Sequence, residues 1–251
     1  LPFDHGKFLS GRIANSLGIL SPKFNLVELF INDQSSGIYT ESENINESFL
    51  RKNFIMPVNI YKAEQILNES IVALEANAFN SPGVLSKRAV FNQVSYSDKS
   101  DFIYFYKLMR SSIDNKKKYL DLIDKIGIEN WVKFAVYQIV TQNFHNDNSH
   151  NFRLVSDPWS GHLIPIAQDP LIGSKINQQN YDLDISSNDM FLLLNKGSYF
   201  QDLKFNQLYK ILKSDLIEKE IASLINKETE IKISENRDVK FIYQNFNIFN
   251  L

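Results

Sequence analysis

The stretch IENWVKFAVYQIVTQN, Ile128 to Asn143, constrains the fold more than any other part of the chain. Its apolar residues Trp131, Val132, Phe134, Ala135, Val136, Ile139 and Val140 point almost all round a helix. Such a helix has no face to give to water and belongs in the middle of a domain. Around it the chain changes character. Before it, Phe24–Ile31 and the IYTESEN segment read as two strands of a hairpin about the turn NDQSSG. Phe8, Leu9, Ile13 and Leu17 recur at helical spacing, and Gly18 follows as a stop signal. NESFLRK reads as a short helix capped by Asn46, and VNIYKAE as a further strand. Residues 80–100 suggest an irregular loop. DFIYFYKLMRSSI, YLDLIDKIG and most of 188–227 read as helices. Strands come first, then helices with one internal hairpin, which predicts an α+β fold of two unequal lobes.

Composition narrows the function classes. With 251 residues and 43% hydrophobic residues the chain has enough apolar material for a real core. The formal net charge of −2 argues against a nucleic-acid partner. The absence of Cys removes disulfides and thiolate metal sites. No apolar run approaches the roughly 18 residues that span a bilayer. The sequence opens at Leu1 without Met, as expected of a processed or trimmed piece.

The chemistry gathers after the apolar helix, in NFHNDNSHNFRLVSDPWSGHLIPIAQDPLIG. Asp147 and Asn151 lie in a polar loop. FRLVSD and HLIPIAQD flank a turn marked by Asp-Pro and Gly, so they read as a hairpin. A hairpin returns the chain to its starting level and brings Asp169 back beside Asn151. The order of buried helix, loop Asp, Asn, hairpin, Asp and Gly is the order protein kinases use. Phosphoryl transfer needs oxygen ligands for Mg²⁺ and a carboxylate that orients the attacking hydroxyl. On that order Asp147 is the orienting carboxylate, and Asn151 and Asp169 hold the metal. His145 and His150 sit five residues apart but lack a third strong ligand, so zinc is not expected. His150 reads as a supporting residue that bonds a carboxylate. The run Lys116 to Lys118 reads as a solvated helix end.

Several segments together resemble the CotH kinase family. They are Asn32, Gly37, Tyr39 and Glu43 of the first hairpin, Ile60-Tyr61-Lys62, DNSHNFRL, PIAQDPLIG and MFLLLNKGSYFQDLKFNQLY. The resemblance runs from about Leu9 to Lys227. It implies a two-lobed atypical protein-kinase-like fold. An incomplete strand-rich N-lobe would cover about 1–95, and a helical C-lobe about 96–251. It implies ATP as donor, Mg²⁺ or Mn²⁺ as cofactor and a protein Ser or Thr as acceptor, with Lys62 and Glu43 on the nucleotide side. The family leans towards extracytoplasmic, cell-surface or spore-coat locations. The chain departs from the family pattern at Gln168, where Trp is usual before the metal Asp. A strict alignment puts His145 at the catalytic Asp position, and another puts Ala167 at an acidic one. No Gly-rich phosphate loop is present. These departures keep a second expectation alive, a CotH-like surface or coat module that has lost catalysis.

Overall fold

A computed structural model describes residues 5–63, 85–89, 98–147, 151–169 and 182–235. It is a mixed α+β structure. Its elements in order are α1 (His5–Ser16), β1 (Phe24–Ile31), β2 (Gln34–Ser42), α2 (Glu47–Lys52), β3 (Asn59–Ala63), β4 (Leu85–Ala89), α3 (Ser100–Ser112), α4 (Lys116–Ile126), α5 (Ile128–Thr141), β5 (Phe152–Asp157), β6 (His162–Ala167), α6 (Asp189–Leu194), α7 (Ser198–Lys213) and α8 (Leu216–Glu235).

The expected apolar helix is α5, and it is the hub of the core. Trp131, Phe134, Val136 and Tyr137 are fully buried. Trp131 packs against Phe152 of β5 and Phe191 of α6, and Phe134 stacks on Phe191. The Trp131 indole N–H donates to Leu163 O on β6 at 2.8 Å, so its single polar atom is satisfied inside the core. That bond also fixes the hairpin against the helix. Gly127 separates α4 from α5 at φ 67°, and a Cβ there would meet the His162 ring at 2.6 Å, so both conformation and space require glycine.

Two antiparallel sheets are present among the described residues. β1 and β2 form a ribbon of their own. The other sheet has the order β4-β3-β5-β6. Within it Phe152 pairs with Ala167, and Lys62 of β3 pairs with Arg153 of β5. The β5–β6 turn follows Asp157, whose carboxylate accepts from Trp159 N and from Ser160 Oγ, before Gly161 turns at φ 70°. Asn46 caps α2 as expected, accepting from Phe49 N at 3.2 Å.

One expectation is corrected. The turn between β1 and β2 is two residues, not six. Asn32 and Asp33 both adopt positive φ, the geometry of a tight hairpin turn, so the polar run from Gln34 is already strand. The region 80–100 contains strand β4, and its remainder lies largely outside the described residues.

Asp101 fastens α3 to the sheet. The Tyr61 hydroxyl donates to one carboxylate oxygen and Asn59 Nδ2 to the other at 3.0 Å, while Phe102 N donates at 2.9 Å. Burial pushes the Asp101 carboxyl up, but the bonds from Tyr61, Asn59 and Ser156 together hold it below the ordinary value. The same burial and the Asp101 charge push the Tyr61 hydroxyl well above its usual range. A carboxyl lowered in the folded state gives stability that is full above the unfolded value of about 4. That stability drains as pH falls through the lowered folded value, because the unfolded chain takes up the proton first. Urea melts between pH 7 and pH 3 are expected to show this acid loss. Asp101→Asn is expected to be less stable at pH 7 and to show a flatter acid limb.

Candidate phosphoryl-transfer site

The site sits where α5 ends and the β5–β6 hairpin opens. Gln142 closes α5 in the left-handed region at φ 49° and turns the chain into the loop. The loop is built from buried neutral carboxamides. Gln138, Gln142, Asn143 and Asn146 are all fully buried, and Asn188 nearly so. A carboxamide donates and accepts at once, so it satisfies buried backbone groups without burying charge. Gln142 Nε2 donates to Ile139 O and Asp182 O. Asn143 Oδ1 accepts from His145 N at 2.8 Å, and Asn188 Nδ2 donates to Asn146 O at 3.1 Å.

Asn146 is the centre of this web. Its Nδ2 donates to Asn151 O and to Gln168 O, each at 3.0 Å. Those carbonyls flank the last paired residues of the hairpin, Phe152 and Ala167. One side chain therefore ties both strand ends together. Just beyond the tie, Asn151 Nδ2 lies 3.3 Å from Asp169 Oδ2. Asn151 and Asp169 both occupy the left-handed region, at φ 51° and 49°. Asn and Asp tolerate that conformation better than other side chains, and strained backbone of this kind clusters at functional sites.

His145 and Lys7 complete the surroundings of Asp169. His145 Nδ1 stands 3.3 Å from Asp169 Oδ2 and 3.1 Å from Asn151 Nδ2. The Lys7 ammonium pairs with Asp169 Oδ1. Behind them the Tyr137 hydroxyl meets Ser10 Oγ at 2.8 Å and accepts from Asn143 Nδ2 at 3.0 Å. Burial pushes that hydroxyl up to about 12, so it stays protonated throughout the working range.

The structure thus brings Asn151, Asp169 and the Gln168 backbone together. Asp147 lies half-buried on the loop between α5 and β5. Glu43 is engaged elsewhere, accepting from Lys52 Nζ at 2.8 Å and from Lys23 N at 3.3 Å. Lys62 is half-buried on β3, opposite Arg153. His150 lies outside the described residues. The sequence reading missed two groups, Lys7 and Asn146. Lys7 had no local signal, because its partner is remote in sequence. Asn146 had one: the protein-kinase catalytic loop places its Asp five residues before the metal Asn. Five before Asn151 is Asn146, and Asp147 is four before.

The donor set suits a hard cation. One carboxylate and one carboxamide meet at 3.3 Å, and a half-turn of the Asn151 amide presents its oxygen. Mg²⁺ takes one or two protein oxygens of this kind and fills its shell with water and phosphate. Among the described residues no group of three or more His, Asp or Glu stands ready to hold an ion alone. A separate cleft, lined by Asn59, Lys87, Asp101 and Ser156, lies at the other end of β3 and β5.

The CotH kinase protein family model matches residues 8–236. The chain belongs to the CotH kinase family. The match takes in α1 from Phe8 onward, the whole loop and hairpin, and α8. Family membership makes the function kinase-like in its coarse outline. Among curated proteins none matches the chain. Among solved structures, a chain of the Shewanella oneidensis MR-1 toxin–antitoxin complex of HipA, HipB and operator DNA is similar, at 15% identity and a TM-score of 0.41. The match covers 89% of this chain and 50% of that one, so the CotH-family chain spans about half of its length. No helix among the described residues is long and apolar enough to cross a membrane.

The Asn146 tie makes a sharp prediction. Asn146→Asp removes the donor from two buried bonds and sets a carboxylate against two carbonyl oxygens. The loss is expected to be about 3 kcal/mol at neutral pH, the scale of a buried polar group left unmatched. The new carboxyl would be raised in the folded state, so its protonated form is the tolerated one. Stability of the variant relative to the parent is expected to recover as pH falls through that raised value towards the unfolded value of about 4, read by denaturant melts.

Proposed function

We propose that this CotH-family chain transfers phosphate from ATP to a protein Ser or Thr hydroxyl with the help of Mg²⁺ or Mn²⁺. The observation that carries the proposal is the meeting of Asn151 and Asp169 at 3.3 Å, on left-handed backbone, at the open end of a hairpin that follows a buried helix. Asn151 and Asp169 would hold the cation. When bound, the cation would supply charge neutralisation at the phosphoryl group being transferred. Asp147 would orient the acceptor hydroxyl and take its proton, and Lys62 would lie on the nucleotide side. In this proposal the chain up to about residue 95 forms the smaller, nucleotide-side lobe, and the rest forms the helical lobe.

Two outcomes test the proposal. Calorimetric titration of ATP is expected to give Mg²⁺-dependent binding that Asp169→Ala abolishes while leaving the fold intact. Equal binding by the variant would remove Asp169 from the site. Asp147→Asn is expected to keep nucleotide affinity and to lose turnover by ~10²-fold or more, the scale of a positioned base. Unchanged turnover would take that role from Asp147.

Asn146 favours a second reading. The residue five before Asn151 is a carboxamide committed to two backbone carbonyls, and it cannot serve as a base. On this reading the protein keeps a nucleotide–metal site and works as a binding module on a surface or coat. Tight Mg²⁺-dependent ATP binding with no phosphate transfer to any offered protein would select it.

A further inference from the structure

The two oxygens of Asp169 have different neighbours. Oδ2 faces Asn151 Nδ2 and His145 Nδ1, each at 3.3 Å. Oδ1 is held by the Lys7 ammonium. Lys7 is not a loose surface lysine. Its side chain is only 20% exposed, and it stands on α1 directly before Phe8 and Leu9, which are buried in the core. Three residues after Lys7 in α1, Ser10 meets Tyr137, and Tyr137 accepts from Asn143 at the root of the site loop. A helix packed and tied in this way carries the ammonium to Asp169 as a fixed part of the site.

Kinase sites of the two-ion kind set both cations between the metal Asp, the loop Asn and the phosphates. Here a positive charge already lies against one oxygen of the Asp169 carboxylate. A divalent ion placed on the Oδ1 side would stand at contact distance from the ammonium, and like charges at that range in a half-buried site repel strongly. An ammonium is itself a compact cation with three N–H donors, and it suits phosphate oxygens as well as a carboxylate.

We infer that Lys7 stands in the place of a second divalent ion. The site takes one ion, at Asp169 Oδ2 and Asn151, and Lys7 neutralises the phosphate oxygens on the Oδ1 side. The inference rests on the nucleotide–metal reading of the site. It adds a phosphate-binding residue that comes from α1, remote in sequence from the loop and hairpin.

Equilibrium dialysis of the whole chain with Mn²⁺ and a non-hydrolysable ATP analogue tests it through the ratio of retained Mn²⁺ to retained nucleotide. The expected ratio is one for the parent protein and for Lys7→Arg, which keeps the charge. It is two for Lys7→Met, whose nucleotide retention should be weak at low Mn²⁺ and recover as Mn²⁺ rises. A ratio of two in the parent or in Lys7→Arg overturns the inference and leaves the nucleotide–metal reading standing. So does a ratio of one in Lys7→Met. Failure of Lys7→Met to retain nucleotide at any Mn²⁺, while Lys7→Arg retains it, also overturns the inference, because the ammonium is then not exchangeable for an ion. Retention of neither Mn²⁺ nor nucleotide by the parent overturns the nucleotide–metal reading and the inference with it.

Discussion

Asn146 closes the open end of the β5–β6 hairpin by donating from one amide nitrogen to a carbonyl on each strand. Everything proposed for the site depends on that closure. A hairpin frays at its open end unless something beyond the last ladder pair holds it. Here the fastening is buried, neutral and supported from behind by Asn188. It fixes Asn151 and Asp169 side by side, where unsupported strand ends would splay. The left-handed backbone at both residues is the strain that such a fastening can sustain.

The same loop explains why a site of this kind can be built with so little buried charge. Gln138, Gln142, Asn143, Asn146 and Asn188 bond backbone groups around the end of α5 through neutral amides. The Asp169 carboxylate stands at the edge of this frame with Lys7 and His145 against it. In kinase-like chemistry the protein's task is positioning and electrostatics more than covalent steps. A rigid neutral frame around one charged residue fits that task.

Much of this was legible in the sequence because it is local. An all-round apolar helix must be buried, and α5 is the hub of the core. Asp-Pro and Gly at a fixed offset make a hairpin turn, and the ladder, which ends at Phe152 with Ala167, returns Asp169 to the same end as Asn151. Asn46 announced its helix. The errors came where local signals compete. QSS looks like a turn, but the ribbon β1–β2 buries neither face deeply, so polar residues extend the strand and Asn32–Asp33 alone make the turn. Lys7 could not have been found from the sequence, since its ion pair with Asp169 joins two ends of the fold.

The central claim is that the closed hairpin end is where a nucleotide-bound cation sits. The most direct measurement is paramagnetic broadening in ¹⁵N-labelled protein, with a non-hydrolysable ATP analogue and trace Mn²⁺. The account predicts that broadening centres on the Asn151 side-chain amide and the backbone amides of Asn146, Asn151 and Asp169, and fades towards the far end of β5 at Asp157. Broadening centred on the cleft by Asn59 and Asp101, or spread over surface carboxylates with no centre, would contradict it.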